Sequence, residues 1–176
     1  MPQRGFTLLE LMVTLVILAL ILSIGLPQMN HLLARLNAHT FAHSLQEAIV
    51  TTRQRAILSN GRATLRAIDR WDSGWEMFED RNHNGTREAN EVLVFHHPAT
   101  PERSFTVRAN KPVQSYISYV GSGAGRFASG SARGGFQAGT LHICTQDNAV
   151  GYALTLARMG RLRLRSIGAD DCRTGP

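Results

Sequence analysis

The sequence predicts an α+β protein in which one long N-terminal helix packs on an antiparallel β-sheet domain. Three observations support this class: an apolar run at 11–26, an amphipathic helical pattern directly after it, and short strand-like runs to the end. Between residues 6 and 25 only Glu10 is charged, and 20 helical residues span roughly 30 Å, the thickness of a hydrocarbon core. The first half of the helix is therefore predicted to lie in a membrane.

The helix is predicted to continue as an amphipathic segment at 28–58, with Asn60-Gly61 as its stop. Its apolar residues recur at spacings near 3.6, which places them on one helix face. They are Leu33, Leu36, Phe41, Leu45, Ala48, Ile49, Ala56 and Ile57. Pro27 lacks an amide donor, so we expect it to bend or locally break the helix.

Eight candidate strands follow Gly61 and are separated by turn residues. They are 63–68, 74–79, 91–96, 104–108, 115–120, 139–144, 151–156 and 161–166. With the helix packed on them, they are enough for a single small domain with one sheet. The Gly-rich stretch 121–135 contains neither of the phosphate-binding motifs GxxxxGK[ST] and GxGxxG. It is predicted to be a mobile surface loop.

A short basic leader precedes the apolar run. An ordinary secretory signal is cut after its apolar region, whereas here the only processing-like junction, Gly5/Phe6, lies before it. Cleavage at this junction would keep the helix in the mature protein. Arg4 and the free amino terminus place the leader in the cytoplasm by the positive-inside rule, so the chain after residue 27 is predicted to be exported. The alternative is a plain signal anchor with Glu10 at the interface.

The sequence has two cysteines, Cys144 and Cys172. In an exported domain a lone pair is most simply a disulfide, and closing this loop would stabilise the domain by roughly 3.5 kcal/mol in the chain-entropy model. The alternative is two free buried thiols.

The N-terminal pattern resembles the class III signal of type IV pilins and type II secretion pseudopilins. In that family a prepilin peptidase cuts after the glycine and methylates the new terminal phenylalanine, so the resemblance implies that Gly5 and Phe6 form the processing site. It also implies that Glu10 pairs with a neighbouring subunit's terminal amine. The implied organisation is a leader at 1–5, a transmembrane and filament-core helix at 6–27, its amphipathic continuation at 28–60, and an exported β-rich domain at 61–176. The implied location is the inner membrane with a single span and a periplasmic domain, and the partners are other pilins.

Charge is unevenly distributed along the chain. Residues 69–102 hold eight acids against three arginines, a balance of −5, whereas residues 103–165 hold eight arginines and Lys111 against Asp147, a balance of +8. Within the basic part, Arg161, Arg163 and Arg165 alternate with leucines in strand period, which predicts three guanidinium groups on one face. Arginine suits phosphate because its planar fork binds bidentately.

Three further features extend the resemblance: the Gly74-Trp75 pair, the strand at 140–144 and the Gly-Arg-x-Arg motif near the end of the chain. They are similar to features of the FimT/FimU/GspH family, with FimT-like members favoured. In FimT-like members the Gly-Arg-x-Arg strand is associated with DNA binding during natural transformation, which implies that role for Arg161 and Arg163. The alternation adds Arg165, and nearby basic residues complete the predicted DNA-binding set. They are Arg158, Arg126, Arg133 and Lys111. The alternative is a solvated strand face in a purely structural minor pilin or pseudopilin.

Residues 80–91 satisfy the spacing of a calcium loop, from Asp80 to Glu91. The flanking runs are strand-like rather than helical, and Asn84-Gly85 is a favoured hairpin turn, so we predict a β-hairpin.

His39 and His43 share a helix face, but no HExxH motif accompanies them, and a solvated face is expected. No nucleophile elbow or activated thiol is present either. The sequence predicts neither an enzyme nor a bound cofactor or metal.

Overall fold

The computed structural model of the protein describes residues 7–99, 104–131 and 133–176, without the side chains of residues 24–27. Its first element is helix α1, Leu8–Leu58, whose 51 residues span about 76 Å. The Thr7 hydroxyl caps α1 by accepting a hydrogen bond from the Glu10 amide (3.2 Å). The helix is continuous through residue 27. The predicted local break is therefore absent, because a proline removes only one amide donor and the flanking turns keep theirs.

All eight predicted strands are present, with ends within two residues of the predicted ones. They are β1 (Ala63–Ala67), β2 (Trp75–Glu79), β3 (Leu93–His97), β4 (Phe105–Ala109), β5 (Tyr116–Tyr119), β6 (Gly139–Thr145), β7 (Val150–Leu156) and β8 (Leu162–Gly168). Short 3₁₀ turns at Trp71–Ser73 and Lys111–Val113 precede β2 and β5, and a final helix, α2, spans Ala169–Thr174.

The strands form two antiparallel sheets rather than the single sheet predicted. Sheet A has the order β3-β2-β1-β5, and sheet B has the order β4-β6-β7-β8. The prediction was wrong because β5 returns to pair with β1 while β4 pairs with β6. Because the paired strands lie far apart in the sequence, no local sequence pattern indicates which strands pair. In sheet B, β8 is an edge strand.

The second half of α1 fills the core between the two sheets. Phe41, Leu45 and Ile49 are buried there, against apolar residues of both sheets. Leu33 and Leu36, predicted for the same face, are instead about half exposed. They precede Ala38, where the buried part of α1 begins, and the β domain contacts this stretch through polar side chains, from His31 to Asp147 (3.3 Å) and from Asn37 to Ser104 (3.1 Å).

The Gly-rich loop at 121–135 is pinned to the domain in its described part, which contradicts the predicted mobile loop. Gly123 is buried, and its carbonyl accepts a hydrogen bond from Arg53 Nε (2.9 Å). The buried Arg62 donates to the carbonyl oxygens of Arg126 (3.0 Å) and Ser131 (3.1 Å). Burial lowers the pKa of the Arg62 guanidinium, although Asp80 opposes this effect.

Candidate functional site

The N-terminal half of α1 lies outside the globular core. Its described side chains from Leu8 to Ser23 are all exposed, and Glu10 stands alone as the acid of the first turn. By length and composition, α1 is the one helix among the described residues that could cross a membrane. The predicted processing residues Gly5 and Phe6 lie outside the described residues.

The C-terminal arginines line the outer face of edge strand β8. Arg163 and Arg165 are exposed, while Leu162 and Leu164 turn inward and pack on the core, as the alternation predicted. Arg161 is also exposed and directly precedes the strand, where its carbonyl accepts a hydrogen bond from Ala157 (2.9 Å).

Within the part of the chain that the structure describes, no hydrogen bond or ion pair engages the guanidinium groups of Arg158, Arg161 or Arg163. Arg165 differs, because its Nη2 lies 3.9 Å from Asp171 Oδ2 of α2. We call these four residues the arginine edge. Arg158 belongs to it because the turn that links β7 to β8 carries its side chain into solvent.

Helix α2 packs on the face of sheet B that carries the arginine edge. The Cys144–Cys172 disulfide ties α2 to β6, which confirms the predicted bond. Arg108 of β4 also donates to the Cys172 carbonyl oxygen (2.8 Å). The positions of Asp171 and Arg108 beside the arginines could not be predicted, because α2 is only six residues long and carries no helical periodicity.

His142 lies on β6 beneath α2 and is 5% exposed. It pairs in register with Arg108 of β4 and Ala153 of β7, and Ala153 pairs with Arg165. Its Nδ1 atom is buried without a hydrogen-bond partner among the described residues. Burial lowers the pKa of the imidazole, and Arg165 and Arg108 lower it further, whereas Asp171 opposes the shift.

The remaining basic residues predicted for DNA lie elsewhere. Arg126 donates to the Gly134 carbonyl oxygen (3.0 Å) and stacks 4.0 Å above the Phe136 ring. Arg133 is exposed on the same loop, next to the segment whose Gly130 amide reaches the β2–β3 loop. Lys111 follows β4, the opposite edge of sheet B, about 14 Å away at three strand spacings. The structure thus groups four of the seven predicted residues.

The 80–91 segment is the predicted hairpin connection, since β2 and β3 pair antiparallel on either side of it. Its carboxylates hold the loop's own backbone. Asp80 accepts from the amides of Asn84 (3.0 Å) and Gly85 (2.9 Å), and Glu91 accepts from the amides of Arg81 (2.9 Å) and Glu88 (3.0 Å). No group of three or more His, Cys, Asp or Glu that could hold a metal occurs in the described ranges.

His39 and His43 are both exposed on α1, as expected for a solvated helix face. Their rings lie 4.4 Å apart, and His39 also meets the edge of the Tyr152 ring at 5.4 Å. These contacts place His39 against Tyr152 of β7, with His43 beside it on the helix.

A long N-terminal helix, exposed and apolar in its first half and buried between antiparallel sheets in its second, defines a pilin-like α+β protein. Two family models match the sequence: the type II transport protein GspH over residues 42–160, and the prokaryotic N-terminal methylation motif over residues 1–26. The first covers more than half of the 176 residues, and the chain belongs to the GspH family.

Solved structures show the same fold. The type IV minor pilin FimU of Pseudomonas aeruginosa PAO1 superposes with a TM-score of 0.56 at 15% identity, covering 74% of this chain and 90% of that one. The minor pseudopilin EpsH of the Vibrio cholerae type 2 secretion system gives 0.51 at 16% identity, covering 73% and 96%. No curated protein matches the sequence. The chain is therefore a GspH-family protein that carries an N-terminal methylation motif and has the fold of these minor pilins and pseudopilins.

Proposed function

We propose that this protein is a minor pilin of a type IV pilus whose arginine edge binds DNA without sequence specificity and supports DNA uptake in natural transformation. The observation that carries this proposal is the free state of Arg161 and Arg163, which have no ion pair among the described residues and lie beside an open strand edge. Alternate residues of a strand are about 6.6 Å apart, a spacing comparable to that of successive phosphates along one nucleic acid strand.

The four arginines contribute unequally. Arg161 and Arg163 are the principal phosphate ligands, and Arg158 extends the edge at the turn. Arg165 contributes less because Asp171 competes for its guanidinium. The loop residues Arg126 and Arg133, together with Lys111, add to the attraction of DNA at a distance rather than to direct contacts.

The N-terminal segment would bring this edge to the outside of the cell. In this proposal a prepilin peptidase cleaves between Gly5 and Phe6, the new terminus is methylated, and Glu10 pairs with a neighbouring subunit's terminal amine. The apolar half of α1 would hold the protein in the inner membrane by a single span before assembly, with the β domain in the periplasm. A carboxylate near the edge of the bilayer core costs roughly 2.5–3.5 kcal/mol or less on insertion scales, and this cost supports a functional role for Glu10.

A purely structural role is the second candidate. The chain would then prime or cap a type IV pilus, or serve as a minor pseudopilin of a type II secretion filament, without touching DNA. The likeness in fold to EpsH favours this reading as much as the likeness to FimU favours the pilus. The arginine edge would then be a solvated strand face.

A soluble fragment beginning at Gln28 tests the proposal, because it retains every core residue of α1 from Ala38 onward. We expect it to bind single- and double-stranded DNA of unrelated sequence in the micromolar range or weaker, as phosphate contacts alone would give. With three to five phosphates neutralised, log K against log salt should slope by roughly −3 to −4.5 on duplex DNA.

The decisive variant is Arg161→Gln together with Arg163→Gln. It should flatten the slope by about 1.8, the equivalent of two phosphates, with the thermal midpoint nearly unchanged because exposed charges add little stability. The matched control, Arg35→Gln with Arg81→Gln, removes two exposed positive charges elsewhere and should keep the slope. Negligible binding at 0.15 M salt, or equal effects of the two double variants, would favour the structural role.

A further inference from the structure

An apolar groove runs between α1 and the edge of sheet A. Its volume is about 430 Å³, and it is lined by Glu47 and Thr51 of α1, by Trp75 and Met77 of β2, and by Val94 and Phe95 of β3. The α1 residues that line it extend from 44 to 51, so the groove follows the helix axis for about 10 Å. It belongs to neither the arginine edge nor the N-terminal segment.

The β3 wall of this groove is unusually apolar for an edge strand. Leu93, Val94 and Phe95 are 44%, 39% and 44% exposed. Strand β3 pairs only with β2 among the described strands, so its outer edge is open. Proteins commonly protect such edges with charged side chains, bulges or a covering element. None of these three residues is charged, which makes the strand suited to being covered by another chain.

The groove lies on the same face of α1 as three exposed apolar residues nearer the N-terminus. This face carries Met29, Leu33 and Leu36, all about half exposed, and continues toward the groove through polar residues, namely Thr40, Ser44, Glu47 and Thr51. At 100° per residue these seven positions fall within about 80° of the helix surface. A partner that packs along α1 outside the globular core would therefore follow this face directly into the groove.

We propose that the groove receives the N-terminal helix of a neighbouring pilin subunit, which lies along this face of α1 and buries Val94 and Phe95. Other pilins are partners of this protein by family, and a second long helix matches a groove that is parallel to α1. This proposal does not depend on DNA binding.

Photocrosslinking in the full chain tests the proposal in the native host. Benzoylphenylalanine replaces Phe95 in one strain and Phe136 in the control strain, because the two side chains are 44% and 45% exposed and Phe136 lies away from the groove. We expect an adduct at residue 95, and not at 136, with a protein that carries the N-terminal methylation motif. Mass spectrometry should place the crosslinked peptide in that protein's N-terminal helix.

Several results would overturn the proposal: equal adducts at the two positions, no adduct at residue 95, or an adduct there with a lipid or a non-pilin protein. A crosslinked peptide from an extended strand would show instead that β3 is paired by strand addition. Phe95→Asp supplies a second measurement. It should reduce the recovery of this protein in sheared filaments at least several-fold relative to Phe136→Asp, while leaving the domain's melting temperature and DNA affinity close to wild type.

Discussion

Gly160 meets Gly123 so closely that a Cβ atom built on Gly160 would lie 2.0 Å from the Gly123 carbonyl oxygen. Through this contact, the turn between β7 and β8 packs against the Gly-rich loop. The same turn carries Arg158. Gly160 also has a φ of +78°, a conformation that costs other residues roughly 1–2 kcal/mol. Only glycine satisfies both conditions here.

Gly160→Ala is therefore expected to lower stability well beyond the cost of its positive φ. Gly130→Ala is the matched control, because Gly130 has a φ of +71° and no atom within 4 Å of a built Cβ. Urea unfolding of the two variants measures the difference. Equal losses would mean that the turn moves away from the loop without cost.

The disulfide gives a second prediction. Reduction, or Cys144→Ser, should lower the free energy of unfolding by about 2–5 kcal/mol, because the bond closes a loop between residues 28 apart in sequence. Denaturant titration with and without a dithiol measures this change. Rapid alkylation of both thiols in the folded, unreduced protein would contradict the bond itself.

His142 gives a pH-dependent prediction. Its folded pKa lies below the unfolded value of 6.5 because of burial, so the unfolded chain binds the proton first as the pH falls. Stability should therefore be lost as the pH drops from about 6.5 through the folded pKa, and should be fully present above 6.5. Melting temperatures from pH 7.5 to 5 measure the loss, and His142→Gln should remove part of that slope. An unchanged slope in this variant would assign it to other groups.

Processing of the N-terminus gives the fourth prediction. The mature chain should begin at Phe6 with a methylated amine, and replacing Gly5 by alanine or a larger residue should block maturation. Intact-mass measurement of protein from the native host distinguishes the forms. A mature mass that still includes residues 1–5 would argue for a plain signal anchor.

Much of the fold could be predicted because its signals are local. The 51-residue helix follows from continuous helical spacing, and each strand follows from a short apolar run between turn residues. The sheet order could not be predicted, because the pairing of β1 with β5 joins residues about 55 apart in sequence, such as Ala63 and Tyr119. Burial of Arg62 was equally hidden, since its hydrogen-bond partners come from three different loops and strands.

The candidate site also has a part that follows from local sequence and a part that depends on tertiary contacts. The outward alternation of Arg163 and Arg165 is a property of any strand and was visible in the sequence. The ion pair of Arg165 with Asp171 depends on where α2 docks, and that position is fixed by the disulfide. The engagement of Arg126 by Phe136 likewise depends on how the Gly-rich loop folds back on itself.

The unbroken course of α1 has a mechanical consequence. The same helix that leaves the globular domain also supplies the centre of its core, through Phe41, Leu45 and Ile49. Traction on the N-terminal half would pass along the backbone hydrogen bonds into the packed interior, with no flexible tether to absorb it. The β domain would then move as a rigid body with its helix. The packing of the domain on that helix would set the force that the subunit can bear before it unfolds.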